Sequence, residues 1–482
     1  MTSSGDKKGS AALIDRLPEG FKNRMKKLLG GEYGRFLEWY QIPARRGLRV
    51  NTLKCGVDWF RGVFPYPISP SPFCAEGFYL HSDLKAGAEP LHHAGAYYMQ
   101  EPSATAAVAV LAPRPGERVL DVCAAPGGKS TQIAAALRGG GLLWSNEVAR
   151  RRAEILAQNI ERCGVRNAVV SCAEAKTLGE RLAGFFDAAL VDAPCSGEGM
   201  FKKEPEAILR WSEENIRFCA ERQLEILLSA ADTVKPGGRL LYSTCTFAPE
   251  ENEVVIARFL CGRPDYELVD IGGLVSFGRT GFSWDRVEGF AQGFGSADLP
   301  FPLEYTRRIF PSDGGEGHFI ALMRQRTAAG VRAEGYKYNL KDENSGKFRE
   351  LYREIFTSVP YGVIQTIGGT VRLLPEGLPD LKGLGVVSAG VAGAKARKDR
   401  LEPCHALFMA AKGGECKSIL DLEYGDPRLT AFLKGEPVKA PGCASWTAVA
   451  VEGVVTGYGK ASGGILKNKY PKGLRLVTEN RA

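Results

Sequence analysis

Several features that would classify a protein quickly are missing from this 482-residue sequence. It contains no run of about 18 apolar residues, so we expect no membrane-spanning helix. The start, MTSSGDKKGS, lacks the apolar core of a secretory signal peptide, and we therefore expect a cytoplasmic protein. Only five histidines occur, and their spacing matches no metal site, so we predict no bound metal.

The twelve cysteines include no pair with C-x-x-C spacing. In a long chain without an export signal, scattered cysteines are expected to be free thiols in a reducing compartment, and most are small buried hydrophobes. Two have unusual surroundings. Cys195 follows a proline in VDAPCSGEGMF, and Cys245 lies between two threonines in LLYSTCTFAPEENE. Neither context is typical of a disulfide partner or a zinc ligand.

The net charge of +8 is concentrated in the C-terminal third. From Thr327 onward there are 23 lysines and arginines against 16 aspartates and glutamates, a charge of +7, whereas the rest carries 40 against 39, a charge of +1. Such a basic region indicates a polyanionic partner that contacts it. A solvated basic surface that maintains solubility explains the same count, and charge alone does not decide between the two.

The hydrophobic pattern changes along the chain. Residues 11 to about 40 have helical spacing, RRGLRVNTLK is strand-like, and the proline-rich FPYPISPSPF is predicted to be a loop. From about Ala96, short apolar strands alternate with helices, which predicts a parallel sheet covered on both faces. Residues 327–347 resemble a linker, and the glycine-rich tail predicts a final β-barrel.

The stretch LDVCAAPGGKS lies between an apolar strand and a helix. Its glycines allow the backbone to approach a ligand, and the helix start offers free N–H groups. The spacing differs from the dinucleotide pattern and from the phosphate-binding loop. Glu147 ends the second strand, about 20 residues past the loop, where an acid can bond ribose hydroxyls. The pattern predicts an adenosine ligand without a polyphosphate, such as S-adenosylmethionine, unless the loop is only a tight turn followed by a chance acid.

Three long motifs, DVCAAPGGKST, VDAPCSGEGMF and YSTCTFAPEENE, occur in this order. Together they resemble the RNA cytosine-C5 methyltransferases of the Sun family, and the flanking RVNTLK, YYMQEPSA and RIFPSDGGEGHFIALM are similar too. The tail GGILKNKYPKGLR resembles the PUA-like RNA-binding end of bacterial RsmF-type members, which modify small-subunit ribosomal RNA. The resemblance implies an α/β, Rossmann-like methyltransferase with an N-terminal RNA-binding segment and a C-terminal PUA-like β-barrel. It also implies S-adenosylmethionine as cofactor, and ribosomal RNA or the small ribosomal subunit as partner.

The chemistry of that family explains the need for thiols. Carbon 5 of cytosine is a poor nucleophile, and addition of a thiolate to carbon 6 makes the ring an enamine that is nucleophilic at carbon 5. The resemblance assigns this attack to Cys245 and implies that Cys195 takes part in product release. Sequence alone does not order the two thiols, because DNA cytosine methyltransferases use a Pro-Cys nucleophile.

The resemblance also implies roles for other residues. Asp192 is expected to contact the target base or support its protonation, and Lys129 to lie near the methyl donor. Glu174 is the expected contact to adenine, although the register also allows Ala173, and Arg152 could equally be a surface helix residue. The full set expected to line the cofactor pocket is Cys123, Ala124, Ala125, Pro126, Gly127, Gly128, Lys129, Glu147, Arg152, Glu174 and Asp192.

These observations divide the chain into four predicted parts. They are an RNA-positioning region (1–95), a catalytic domain (96–326), a linker with a small C-terminal domain (327–402) and a PUA-like RNA-binding domain (403–482). The predicted reaction is methylation of carbon 5 of cytosine in 16S ribosomal RNA. One alternative is a non-catalytic RNA-binding assembly factor, which would usually have lost a cysteine or the glycine loop. The other is a DNA or transfer-RNA cytosine-C5 methyltransferase.

Overall fold

The computed structural model describes residues 13–295, 299–326, 337–338, 341–398 and 400–476. The start MTSSGDKKGS and much of the predicted linker lie outside these ranges. None of the helices in the described ranges combines the length and the apolar character that crossing a membrane requires. The α-helices span Glu19–Leu29, Tyr33–Glu38, Val57–Val63, Pro90–His93, Ala106–Leu111, Gly128–Leu137, Arg150–Arg162, Ala175–Arg181, Glu206–Arg210, Glu213–Thr233, Glu253–Gly262, Trp284–Val287, Ser345–Ile355, His405–Met409 and Pro427–Lys434.

A small antiparallel sheet precedes the catalytic region. Its strands are β1 (Gly47–Val50), β2 (Ile68–Pro70), β3 (Gly77–Leu80) and β4 (Tyr97–Met99), in the order β2-β3-β1-β4. The prediction that FPYPISPSPF is wholly a loop was wrong, because it contains β2. That strand lies at the edge of the sheet, where a proline without an N–H group is tolerated.

The central sheet forms the catalytic region. Its first nine strands are β5 (Arg118–Asp121), β6 (Leu142–Asn146), β7 (Ala168–Ser171), β8 (Phe186–Asp192), β9 (Val234–Thr244), β10 (Tyr266–Val269), β11 (Arg279–Thr280), β12 (Arg307–Ile309) and β13 (His318–Gln325). The order is β11-β12-β13-β9-β8-β5-β6-β7, and β10 pairs with β13. Strands β9, β8, β5, β6 and β7 run parallel. The predicted α/β fold is confirmed.

Apolar side chains alternate between the two faces of this sheet. Leu120 and Val191 are buried on one face, in the core that also holds the first helices of the chain. Val119 and Leu190 are buried on the other, against the helices that follow β5 and β6. Successive residues of a strand point to opposite faces, so a parallel sheet covered on both sides needs apolar residues at every position.

The N-terminal helices pack beneath the segments that contain the two unusual cysteines. The ring of Phe21 lies 5.1 Å from that of Phe201, and the ring of Phe36 lies 5.3 Å from that of Phe247. Phe36 is buried, as expected if the aromatic residues of EYGRFLEWY form core rather than base-stacking platforms. Aromatic packing therefore joins the start of the chain to both thiol motifs.

The C-terminal region contributes two further sheets. Strands β14 (Val363–Ile367), β15 (Thr370–Leu374), β17 (Val391–Ala396) and β18 (Leu401–Pro403) form the first, and β19 (Ile419–Leu422), β20 (Val438–Lys439), β21 (Ser445–Val451), β22 (Val454–Ser462) and β23 (Ile465–Asn468) form the second. The intervening strand β16 (Val386–Ala389) instead pairs antiparallel with β7, which would otherwise be an open edge of the central sheet. Part of the predicted small domain thus completes the catalytic sheet.

The first and last sheets share one core. Leu48 of β1 and Phe78 of β3 are buried in the same cluster as Leu420 of β19 and Leu466 of β23. The chain therefore closes on itself, and its basic C-terminal region is held against the N-terminal region rather than free in solution.

Candidate active site

The candidate site lies where the carboxyl ends of β5, β6, β8 and β9 meet. Ligands of open α/β sheets bind outside this edge. The register places Asp192, the last residue of β8, directly opposite Ser243 of β9. The two cysteines follow a few residues later, and the Sγ atoms of Cys195 and Cys245 lie 3.3 Å apart. Strand register therefore brings together two thiols that are 50 residues apart in sequence.

A buried lysine lies beside the thiols. Lys129, in the first turn of the helix Gly128–Leu137, pairs through Nζ with Asp192 Oδ2 at 2.7 Å. Ser243 Oγ donates to the other carboxylate oxygen, Asp192 Oδ1, at 2.7 Å. All four residues predicted to be catalytic, Cys245, Cys195, Asp192 and Lys129, thus share one site.

The electrostatics of the two thiols differ. Burial lowers the pKa of Lys129, but the adjacent Asp192 carboxylate outweighs burial and raises it, so the side chain remains an ammonium that also interacts with Cys245. The hydrogen bond to Cys245, together with burial, raises the pKa of Cys195 well above its ordinary value. Cys195 is therefore held as a neutral thiol.

The predicted cofactor loop, residues 123–129, begins two residues after the end of β5. Gly127 has φ +116°, and a Cβ atom there would lie 3.1 Å from Leu156 Cδ1, so only glycine fits. Ala124 donates its N–H to Asn146 O at 2.8 Å. Arg152 Nη2 donates to Ala125 O at 2.9 Å. The loop is thus fixed from both sides, and Arg152 contacts it rather than extending freely from the helix.

The acid predicted to contact a ribose lies at the edge of this loop. Glu147 accepts a hydrogen bond from Ala149 N at 3.0 Å and pairs with Arg152 at 3.1 Å, although its own side chain is only 4% exposed. The second predicted acid, Glu174, is exposed at the start of the helix Ala175–Arg181. The preceding Ala173 N donates instead to Asn146 Oδ1 at 3.1 Å. The structure therefore sets Glu174 apart from the other predicted residues, and its contact with adenine stays a prediction.

A third acid, Asp121, ends β5 beneath the loop. Its Oδ2 accepts a hydrogen bond from Ser130 Oγ at 2.7 Å, whereas its buried Oδ1 has no hydrogen-bond partner among the described residues. Burial raises the pKa of Asp121 to about 7. A buried oxygen without a partner costs free energy, and a ligand that donates to it would recover part of this cost. Glu147 and Asp121 thus supply acceptor oxygens at this loop, which fits the hydroxyl-bearing adenosine part of S-adenosylmethionine.

Sequence reasoning missed the groups that connect the thiol segments. Glu198 lies in the motif of Cys195, yet its carboxylate accepts hydrogen bonds from Thr246 and Phe247, which follow Cys245. Glu251 lies in the motif of Cys245, yet it accepts hydrogen bonds from Ser196, which follows Cys195. The sequence did contain a signal for these contacts, since each acid lies within a buried segment. A buried carboxyl group requires hydrogen-bond donors, and their presence could have been inferred.

A second polar cluster was also missed. Ser103 Oγ lies 2.5 Å from Glu101 Oε2 and 2.9 Å from His318 Nδ1, and all three side chains are buried. Burial lowers the pKa of His318 to about 4, so the imidazole is neutral at pH 7. This cluster joins β13 to the segment after β4 close to Lys129 and Asp192, whose charges act on His318.

A large cavity, of about 1490 Å³, lies elsewhere, at the amino-terminal ends of the parallel strands. Arg118 and Leu142, the first residues of β5 and β6, line it, whereas neither thiol does. Within the described ranges, no group of three or more histidine, cysteine, aspartate or glutamate side chains could hold a metal ion. The chemistry-bearing side chains therefore lie at the opposite edge of the sheet from the cavity.

Comparisons with known proteins agree along most of the chain. Residues 108–324 match the family described as 16S rRNA methyltransferase RsmB/F. Residues 17–102 match the N-terminal domain of 16S rRNA methyltransferase RsmF, residues 349–410 match the RsmF rRNA methyltransferase first C-terminal domain, and residues 420–476 match the methyltransferase RsmF PUA domain. The matched segments occur in chain order and do not overlap.

Whole-length relatives and solved structures are similar as well. The ribosomal RNA small subunit methyltransferase F of Vibrio vulnificus (strain YJ016) is 31% identical and covers 95% of this chain and 97% of its own length. That of Klebsiella pneumoniae (strain 342) is 33% identical, covering 95% and 96%. A crystal structure of a methyltransferase homolog protein from Pyrococcus horikoshii is 30% identical, with a TM-score of 0.56, and covers 65% of this chain and 99% of its own. NSun6 from the same organism, solved with SFG, shares the fold at 21% identity and a TM-score of 0.53, covering 65% and 100%.

Asp121 generates a prediction about pH. A carboxyl group whose folded pKa is raised binds its proton more tightly in the folded state, so its contribution to stability falls as pH rises from about 4 to about 7. Asp121→Asn removes this titration. The quantity to compare is the free energy of unfolding of the native protein minus that of the variant. We expect this difference to fall by a few kcal/mol between pH 4 and pH 8, on the order of 1.4 kcal/mol for each pKa unit of the shift. Denaturant unfolding of both proteins measures this difference, and a difference that stays constant or rises with pH would contradict the assignment.

Proposed function

This chain belongs to the RsmB/F family of 16S rRNA methyltransferases and is an enzyme, and from that premise we propose that it methylates carbon 5 of cytosine in 16S ribosomal RNA. The methyl donor is S-adenosylmethionine. One observation supports this reaction above all: two thiols lie 3.3 Å apart beside a partly buried lysine–aspartate ion pair. Carbons 5 and 6 of the ring are adjacent, so a thiol pair at this spacing reaches both.

In the proposed mechanism, the Cys245 thiolate adds to carbon 6, and carbon 5 becomes nucleophilic. Lys129 supports the thiolate by its charge, because the Lys129 ammonium interacts with Cys245. Methylation at carbon 5 is followed by loss of the carbon-5 proton to a base. The electron pair of that C–H bond then forms the carbon 5–carbon 6 double bond, and the Cys245 sulfur leaves carbon 6 as a thiolate.

We assign to Cys195 the second thiol role, which is to take part in release of the methylated product. Its raised pKa keeps it protonated at neutral pH, which disfavours it as the attacking group and favours Cys245. Asp192 is fixed by Lys129 and Ser243, and we assign to it the contact with the target base. The raised pKa of Cys195 supports this order of the two thiols, as does the resemblance to the Sun family.

The residues of the glycine loop are proposed to hold the cofactor. S-adenosylmethionine supplies the methyl group when it is bound. Residues 123–128 would approach its adenosine and methionine parts, Glu147 would accept hydrogen bonds from the ribose hydroxyls, and Arg152 would keep Glu147 and the loop together. Asp121 supplies one further acceptor oxygen beneath the loop.

The last sheet supports an RNA partner. Lys460 of β22 and Lys467 of β23 are exposed and directly opposite in the antiparallel register. Two like charges directly opposite each other on neighbouring strands destabilise a sheet. A polyanion that contacts both lysines removes the repulsion between them. We assign the phosphates of ribosomal RNA to this pair. The four-part division into residues 1–95, 96–326, 327–402 and 403–482 is kept as the proposed functional organisation.

The two alternatives have less support. A non-catalytic assembly factor has no need for a thiol pair and a charged lysine at the edge of the sheet, and both are present. A DNA methyltransferase is disfavoured by the match of residues 420–476 to the RsmF PUA domain. Methylation assays on 16S ribosomal RNA, on transfer RNA and on DNA separate the proposed function from both alternatives.

The ribose role of Glu147 predicts a loss of cofactor affinity. Glu147→Ala leaves the hydroxyl donors without an acceptor, so we expect S-adenosylmethionine binding to weaken by roughly 1–3 kcal/mol. Calorimetry measures the affinity. The control is Glu154→Ala, an exposed position on the following helix that pairs with Arg150. Equal affinities for all three proteins would remove Glu147 from the ribose role.

The order of the thiols predicts a different product for each variant. Cys195→Ala should attack and methylate but stall, leaving a protein–RNA adduct that survives denaturing electrophoresis. Cys245→Ala should form no adduct and no product, because it lacks the attacking sulfur. Denaturing gels with target RNA and S-adenosylmethionine distinguish the two.

The control for the gels is Cys261→Ala, which removes an exposed thiol on a distant helix and should behave as the native protein. The swapped order predicts the shifted band in Cys245→Ala. Absence of the band from a folded, RNA-binding Cys195→Ala also contradicts the assignment.

The lysine pair predicts a change in salt dependence. Lys460→Glu combined with Lys467→Glu should weaken RNA binding and reduce the slope of log affinity against log salt by about two, since each phosphate contact releases counterions. The control, Lys347→Glu with Arg349→Glu, changes the charge equally on an exposed helix face. If both double variants bind with the same slope, Lys460 and Lys467 do not contact phosphates. Point substitutions are used because deletion of the C-terminal region would remove β16 from the central sheet.

A further inference from the structure

The two segments that contain the thiols are joined by reciprocal hydrogen bonds. The first segment leaves β8 and contains Cys195 and Glu198. The second leaves β9 and contains Cys245 and Glu251. Each segment supplies one buried glutamate. Glu198 is 2% exposed and Glu251 is 0% exposed. Each carboxylate bonds to the other segment rather than to its own.

Glu198 reaches from the first segment to the second. Its Oε2 accepts hydrogen bonds from Thr246 Oγ1 at 2.9 Å and from the backbone N–H of Phe247 at 3.0 Å. Its Oε1 accepts one from Trp211 Nε1 at 2.8 Å. The two residues that directly follow Cys245 are therefore held by a carboxylate three positions after Cys195.

Glu251 makes the reverse connection. Its Oε2 accepts a hydrogen bond from the backbone N–H of Ser196 at 2.9 Å, and its Oε1 accepts one from Ser196 Oγ. Gln223 Nε2 donates to Glu251 Oε2 at 2.7 Å and to Pro194 O at 3.0 Å. The residues on both sides of Cys195 are thus fixed by a carboxylate of the Cys245 segment and by its amide partner.

Direct contacts complete the connection. Ser196 Oγ and Thr246 Oγ1, each directly after a cysteine, lie 2.8 Å apart. Gly199 N donates to Cys245 O at 2.9 Å, and a Cβ atom at Gly199 would lie 2.9 Å from the same oxygen. The two segments therefore touch through backbone as well as through side chains.

We infer that Glu198 and Glu251 are positioning residues that set the distance and relative orientation of the two catalytic thiols. This inference rests on the proposed function, since attack at carbon 6 and release through a second thiol require both sulfurs at one ring. Neither carboxylate needs to touch the RNA or the cofactor. Burial raises the pKa of both glutamates, that of Glu251 to about 8, and their carboxyl oxygens accept the hydrogen bonds of the backbone N–H groups. Loss of one would leave Ser196 N or Phe247 N without its partner and free the attached cysteine to move.

The test compares Glu198→Ala and Glu251→Ala with Glu198→Gln and Glu251→Gln. A misplacement of about 1 Å can cost about 10²-fold in rate, so we expect kcat in the alanine variants to fall about 10²-fold. The KM for RNA and the Kd for S-adenosylmethionine should change less than about threefold, because the positioned groups act on the chemical step. The glutamine variants should recover part of the rate, since an amide oxygen still accepts from a backbone N–H group. Glu206→Gln, at an exposed position of the next helix, is the matched control.

A second measurement reports thiol placement without any catalysis. Oxidised glutathione converts the Cys195–Cys245 pair to a disulfide, with oxidation of two thiols and reduction of one glutathione disulfide to two glutathione thiols. The equilibrium constant gives the effective concentration of one thiol at the other, and mass spectrometry of the linked peptide identifies the pair. We expect this concentration to fall at least about tenfold in each alanine variant and to be unchanged in Glu206→Gln.

The two measurements separate the failure of each idea. Native protein that forms no 5-methylcytosine contradicts the proposed function, while the glutathione equilibrium still tests the positioning role. Folded alanine variants that keep both the native kcat and the native effective concentration overturn the inference. If an alanine variant does not fold, kcat and the effective concentration are compared in the glutamine variants and in Ser196→Ala. The Ser196→Ala variant removes only the hydroxyl bonds to Glu251 and Thr246. Unchanged kcat and effective concentration in these variants likewise overturn it.

Discussion

The register between β8 and β9 is the constraint on which the rest of the site depends. The two strands run parallel and place Asp192 opposite Ser243. Because the cysteines follow these residues at short intervals, the register brings the two thiol segments side by side, and the two sulfurs lie 3.3 Å apart. A slip of one residue would turn Asp192 to the other face and break its bonds to Lys129 and Ser243. Strand pairing, which is a property of the fold, thus sets the geometry of the chemistry.

The site contains an unusual density of buried charged and polar groups, and each is stabilised by contacts between different elements. Lys129 comes from the helix after β5, Asp192 from β8 and Ser243 from β9. Glu253 and Arg308, both fully buried, form a pair at 2.5 Å, and Arg308 also donates to Phe247 O at 2.8 Å. A buried pair of this kind adds little stability compared with apolar packing. The Glu253–Arg308 pair instead helps to hold the segment after Cys245, because Arg308 donates to Phe247 O.

Much of the fold was predictable from sequence because its cause is local. The alternation of apolar strands and helices predicted the parallel sheet, and the glycine loop was placed correctly between β5 and the helix Gly128–Leu137. The thiols were recognised from their motifs, and the structure brings them together. What local pattern could not give was contact between distant segments. Strand β16 joins β7 across more than 200 residues, and the hydrogen bonds of Glu198 and Glu251 depend on the mutual placement of two segments. Glu174 illustrates the same limit, since the sequence pattern allowed either Ala173 or Glu174 as the residue expected at the adenine.

The central claim is that this enzyme places a methyl group on carbon 5 of cytosine in small-subunit ribosomal RNA. The most direct measurement is bisulfite mapping of 16S ribosomal RNA prepared with and without the protein, joined to mass spectrometry of the nucleosides. The account predicts one or more cytosines that resist bisulfite only when the protein and S-adenosylmethionine are present, and 5-methylcytidine in the digest. An identical bisulfite pattern in both RNAs, or a new methyl group found on any other atom, would contradict it.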